Sequence, residues 1–179
     1  MPTVRLLRMR KKPARWYAIP MEDTLTAFSF RLATPDDLSA VLEIENKSYP
    51  LPWSEESFRQ EMEKPFARFL VLTDDETDSV IAGYIVFWVM FDECHILNVT
   101  VHPGWRGLKL GTRLARQTIN EAVKRRAKRV YLEVRKSNAT AVAFYQSLGF
   151  HIDHIKKSFY SDGEDAYFMQ IFLDKPNTL

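Results

Sequence analysis

A carboxylate, Glu133, and a phenol, Tyr145, stand twelve residues apart, separated by a restart of the chain at Ser137-Asn138. Glu133 lies in Arg129 to Arg135, whose alternation reads as a strand, and Tyr145 lies in a helical pattern that stops at Gly149. Upstream, an apolar segment (Ile96, Leu97, Val99, Val101, with Thr100 between) runs through His102-Pro103 into Arg106-Gly107-Leu108-Lys109-Leu110-Gly111-Thr112. A helix pattern follows at once. A strand that ends in a glycine-bearing loop and opens a helix points several backbone N–H groups into one small space. The helix dipole adds partial positive charge there, so the loop suits a phosphate or pyrophosphate. Anion cradle, carboxylate and phenol together suggest transfer of a group from a phosphate-bearing carrier.

Each of these residues also has a plainer reading. Glu133 can pair with Arg135, which shares its strand face. Tyr145, on one helix side with Ala141, Val142 and Leu148, can be a core tyrosine. Val99 to Val101 can be a core strand, and Gly107 and Gly111 can be turn glycines. His95, His102, His151 and His154 show no partner spacing and read as structural. With one cysteine, Cys94, no disulfide within the chain can form, and no metal-ligand spacing is present.

The elements that must position these groups read as mixed α/β. Phe28 to Leu32 alternates like a strand. Thr34-Pro35-Asp36-Asp37 starts a helix to about Lys47, and Ser54 caps a second to about Lys64. Strands are expected near Phe69–Thr73, Val80–Phe91 and Glu93–Val101, followed by a long helix beyond the loop. Two strands around Asp162-Gly163 close the chain as a hairpin. The 179 residues, 46% of them hydrophobic, support one domain with a substantial core. The run from Val80 to Phe91 is too short to span a bilayer.

The net charge of +2 divides unevenly. Residues 1–20 hold six bases and no acid, which leaves 19 bases against 23 acids in the remainder. Residues 1–27 therefore read as a basic extension, 28–174 as the domain and 175–179 as a tail. The extension is either a weak RNA or ribosome contact or a solvated segment ahead of Met21.

Together the segments resemble the GNAT N-acetyltransferases: an Arg-x-x-x-x-Gly loop after an apolar strand, then Leu-Glu-Val-Arg-x-x-Asn-x-x-Ala-x-x-x-Tyr-x-x-x-Gly-Phe. Pro52-Trp53-Ser54-Glu55, Asn98 to Pro103 and Tyr160-Ser161-Asp162-Gly163-Glu164-Asp165-Ala166 narrow the likeness. With them the chain resembles the RimI-type protein N-terminal acetyltransferases, which act on the N-terminal alanine of a small-subunit ribosomal protein, and the related archaeal enzymes. The resemblance covers roughly Phe28 to Leu173.

The resemblance implies an α/β (α+β) acyltransferase fold, a mixed sheet of about seven strands flanked by about four helices. It implies acetyl-CoA as co-substrate, no metal, no membrane and a cytoplasmic setting. Glu133 falls on the family's general base and Tyr145 on its general acid. Backbone groups of Val99, Thr100 and Val101 would pair with the pantetheine arm. Arg106, Gly107, Leu108, Lys109, Leu110, Gly111 and Thr112 would hold the pyrophosphate, and Asn138 would touch the cofactor. A protein N-terminus would lie between Trp53 and Tyr160. The alternatives are a broader-specificity archaeal-type N-terminal acetyltransferase, or a GNAT acting on lysine or a small amine. Two positions depart from the family: Lys109 replaces the usual middle glycine, and Phe159 replaces the first of two adjacent tyrosines.

Overall fold

The computed structural model describes residues 28–74 and 80–173. The extension and tail expected over 1–27 and 175–179 lie outside the described residues. Strand β1 (Phe28–Leu32) leads through a 3-10 turn (Pro35–Asp37) into helix α1 (Leu38–Ser48). Asp37 fixes this junction. Its carboxylate accepts from the Thr34 backbone N–H at 2.7 Å and from both Arg31 terminal nitrogens, and Arg31 holds it below the usual carboxylate range. Helix α2 (Glu55–Glu63) begins at Ser54, whose hydroxyl accepts from the Ser57 N–H at 3.1 Å. Then come β2 (Ala67–Asp74), β3 (Ile81–Met90), β4 (Glu93–Val101), α3 (Leu110–Lys124), β5 (Arg129–Arg135), α4 (Ala139–Ser147), β6 (His151–Lys156) and β7 (Ala166–Phe172).

The strands form one seven-stranded sheet in the order β1-β2-β3-β4-β5-β7-β6. Seven strands and four helices match the expectation. Neighbours run antiparallel except β4 and β5, whose parallel pairing needs the crossover that α3 supplies. On one face α1 and α2 pack Leu38, Val41, Ile44 and Phe58 against Phe69, Val71, Tyr84 and Val86. On the other, α3 and α4 pack Leu110, Leu114 and Tyr145 against Val130, Leu132 and Met169. The closing hairpin is present, with residues 157–165 as its connection rather than a tight turn.

Two departures from a regular sheet open the site. Val86 pairs with Asn98 but Phe87 pairs with Ile96, so Leu97 is an extra residue in β4. Such a bulge exchanges the faces of everything beyond it. Cys94 and Ile96 face the α3 side before the bulge; Val99 and Val101 face it afterwards. The second departure is the end of the β4–β5 ladder. Its register runs from Glu93↔Arg129 to Ile96↔Leu132 and stops. Leu97–Val101 and Glu133–Arg135 diverge, which leaves one backbone edge of β4 open toward a wedge between the two strands.

Candidate active site

The loop after β4 shows why backbone rather than side chains would hold a phosphate. Leu108 and Leu110 are buried and anchor it. Arg106 is committed to the protein: its Nε donates to the Val101 carbonyl at 3.2 Å and its Nη2 to Ser48 Oγ at 2.9 Å. Gly107 has φ +83°, which a side chain would strain. Lys109 caps α3 with φ 57° and ψ 16°, in the left-handed region. The lysine therefore occupies a backbone position that favours glycine. The first intrahelical bond is Arg113 N–H to the Lys109 carbonyl, 3.1 Å. The N–H groups of Leu110, Gly111 and Thr112 precede it and have no acceptor within the helix. Asn138 caps α4 with its Oδ1, accepting from the Ala141 N–H at 3.0 Å.

Glu133 is the first β5 residue past the end of the ladder. It does not pair with Arg135, which binds Asp162 and Glu164 at 2.8 and 2.7 Å. Glu133 Oε2 instead meets His95 Nε2, and Oε1 accepts from Lys156 Nζ, each at 2.6 Å. Its side chain is 8% exposed. Burial pushes the Glu133 pKa up, but the His95 and Lys156 contacts outweigh it, and the carboxyl sits below its usual range. His95, read from sequence as structural, is thus part of the candidate site. It stacks on Tyr131 at 4.4 Å between ring centroids.

Tyr145 projects from α4 and is 6% exposed. Among the described residues nothing hydrogen-bonds its hydroxyl, and that oxygen is not sealed from solvent. Burial, reinforced by the neighbouring Tyr49 and Tyr160 hydroxyls, drives its pKa far up. Tyr160 is pushed up to about 12, mainly by burial, and its ring lies 3.9 Å from the Arg135 guanidinium carbon. Tyr49, which sequence reading missed, donates to the Val99 carbonyl at 3.1 Å and accepts from Thr100 Oγ1 at 3.0 Å. It spans from the end of α1 to the open part of β4. Trp53 packs on Phe58, centroids 5.3 Å apart, and its backbone N–H donates to Glu45 at 2.9 Å. Its ring therefore serves the core as well as the loop.

Glu45 organises a buried polar cluster that no local sequence signal marks. It is 1% exposed. Besides Trp53 it accepts from the Tyr84 hydroxyl and from Asn98 Nδ2, the latter at 3.1 Å. The alternation of β4 hides this arrangement, because only the bulge at Leu97 turns Asn98 and Thr100 toward α1.

A helix start with open backbone N–H groups, a split parallel pair and a carboxylate beside the split form the frame of an acyltransferase of the GNAT kind. Residues 38–150 match the Acetyltransferase (GNAT) family, and the chain belongs to it: it is an acetyl-CoA-dependent N-acetyltransferase. Among its relatives is the Escherichia coli K12 ribosomal protein bS18-alanine N-acetyltransferase, 34% identical over 75% of this chain and 90% of that protein. A Bacillus subtilis chain provisionally given the same name is 37% identical over 78% of this chain and 92% of its own length. The crystal structure of the E. coli ribosomal-protein-S18-alanine N-acetyltransferase has a TM-score of 0.73 at 31% identity, over 85% of this chain and 98% of that one. Ard1 from Thermoplasma volcanium also scores 0.73, at 25% identity, over 83% and 99%.

Proposed function

We propose that this enzyme acetylates protein N-termini in the cytoplasm, and that its leading acceptor is the N-terminal alanine of a small-subunit ribosomal protein. The observation that carries this reading is the placing of Glu133 at the β4–β5 opening, close enough to act on the Tyr160 hydroxyl, which in turn neighbours that of Tyr145. The names borne by the E. coli and B. subtilis relatives support the acceptor.

Acetyl-CoA would lay its pantetheine arm along the open edge of β4 at Val99–Val101, its amides replacing the missing strand. Its pyrophosphate would rest on the N–H groups from Gly107 to Thr112, with Asn138 beside it. The peptide would enter between the loop carrying Trp53 and the hairpin carrying Tyr160. An α-amine has a pKa of about 7.7–8.0, so part of it is protonated at neutral pH. Glu133 takes that proton directly or through water. The neutral amine attacks the thioester carbonyl in a ternary complex, and the carbon–sulfur bond breaks. Tyr145 remains fully protonated and offers its hydrogen to the departing sulfur. Its elevated pKa makes hydrogen bonding to the developing thiolate the main part of that role.

The test is acetyl transfer to peptides with free Ala, Ser, Met and Met-Leu termini, alongside an N-blocked peptide with an internal lysine and one polyamine, read by mass spectrometry. Transfer to Ala- or Ser-starting peptides alone supports the ribosomal-alanine reading. Transfer to Met termini as well supports a broader archaeal-type range. Transfer to the lysine or polyamine alone refutes both.

A further inference from the structure

A second amine already sits on the candidate base. In the register of the last three strands Lys156 lies opposite Ala166, and Ala166 opposite Arg135; Glu133 lies one row away, opposite Phe168. Lys156 reaches diagonally over this surface. Small Ala166 leaves the path open, and the ammonium hangs 4.9 Å from the Phe168 ring centroid and 5.4 Å from that of Phe159. It ends 2.6 Å from Glu133 Oε1. The lysine side chain keeps 34% exposure, whereas Glu133 keeps 8%. The four-carbon stem is thus free to move, while the carboxylate it meets is fixed. Glu133 borders the opening of the β4–β5 pair, so any thioester that Glu133 serves lies next to Lys156 as well. An amine held in the chain competes with a free acceptor at a high effective concentration.

We propose that Lys156 is a self-acetylation site, modified by the enzyme's own active centre when no acceptor peptide fills the groove. This rests on the catalytic reading of Glu133 and Tyr145. The Lys156 ammonium gives one proton to Glu133. Its nitrogen forms a bond to the acetyl carbonyl carbon of acetyl-CoA, and the carbon–sulfur bond breaks while the Tyr145 hydroxyl hydrogen-bonds the departing sulfur. The sulfur takes the nitrogen's second proton, and the proton on Glu133 passes to solvent. The products are acetyl-lysine, free CoA thiol and one released proton. The amide nitrogen no longer acts as a nucleophile, so the reaction stops after one acetyl group at this residue.

The experiment incubates the full chain with acetyl-CoA and no peptide, then measures intact mass and maps the modified residue. The expected result is one added acetyl group per chain, on Lys156, at a first-order rate independent of protein concentration. The rate should fall about 10²-fold or more in Glu133→Gln, checked for folding by its melting curve, and an added Ala-starting peptide should slow it. No mass gain, modification elsewhere, an unchanged rate in Glu133→Gln, or a rate that rises with protein concentration overturns the proposal. The same preparation is assayed on the peptide panel. Peptide acetylation without modification of Lys156 overturns this proposal alone. Modification of Lys156 with no peptide acetylation overturns the N-terminal reading alone.

Discussion

Replacing Lys109 with glycine tests the reading of the phosphate loop through stability alone. Lys109 is held at φ 57° and ψ 16°. A side chain in the left-handed region costs about 1–2 kcal/mol. Glycine removes that cost but loses more freedom on folding, about 0.5–1 kcal/mol. Removing a cation from the positive end of α3 adds a few tenths of a kcal/mol in favour of the variant, roughly as a charge near a helix terminus does. The balance is a stabilisation of about 1 kcal/mol, or a rise of about 2–4 °C in Tm for a chain of this size. Urea unfolding and thermal scans of Lys109→Gly beside the parent chain would measure it, with an unchanged urea slope showing that the native surface is preserved. Gly107→Ala is the converse control. Its φ is +83° and no atom lies within 4 Å of an added Cβ, so its destabilisation would be conformational rather than steric. A Lys109→Gly variant that melts at or below the parent temperature would refute the reasoning.

Tyr145→Phe should lower kcat for acetyl transfer while leaving Tm within a few degrees, since the ring keeps its packing; unchanged turnover removes Tyr145 from the chemistry. Lys156→Met deprives Glu133 of one donor and one positive charge, so the Glu133 pKa should rise and the acid limb of the kcat/KM profile should move to higher pH. The depressed Glu133 pKa contributes stability above the ordinary glutamate value of about 4.3, and that contribution is lost as pH falls through the lower folded value. Urea titrations across that acid range should therefore show a shallower loss in Lys156→Met than in the parent. Glu45→Leu leaves the donors of Trp53, Tyr84 and Asn98 without their acceptor, at about 1–3 kcal/mol for each group left unsatisfied. A loss below about 1 kcal/mol in urea unfolding would mean that water or a rearranged loop takes the place of Glu45.

Much of the scaffold was legible because its signals are local. The caps at Thr34 and Ser54, the alternation of Arg129 to Arg135 and the stop at Gly149 need no knowledge of distant chain. Glu133 and Tyr145 could be singled out by segment pattern. Their partners could not. His95 and Lys156 reach Glu133 only because β4 pairs in parallel with β5, and β6 joins through β7; register of that kind is set by tertiary packing. Tyr49 and Glu45 were invisible for a different reason. The bulge at Leu97 preserves the buried-exposed alternation of β4 while exchanging its faces, so the pattern reads correctly and the direction of Asn98 and Thr100 does not.

The short β4–β5 ladder also bears on how the molecule comes apart. Four register pairs, Glu93↔Arg129 to Ile96↔Leu132, join an antiparallel block of β1 to β4 to another of β5 to β7. Each block is held by longer antiparallel ladders, whereas the seam between them is a short parallel one that must be closed across the whole of α3. Sub-global opening should start at this seam, and backbone amides of β5 near Glu133 should exchange with solvent sooner than those in the middle of β3. A carrier molecule seated along the free edge of β4 would then act as a clamp on the seam. At a hundred times its dissociation constant it would add about 2.7 kcal/mol against opening, making resistance to unfolding follow the supply of the acyl donor.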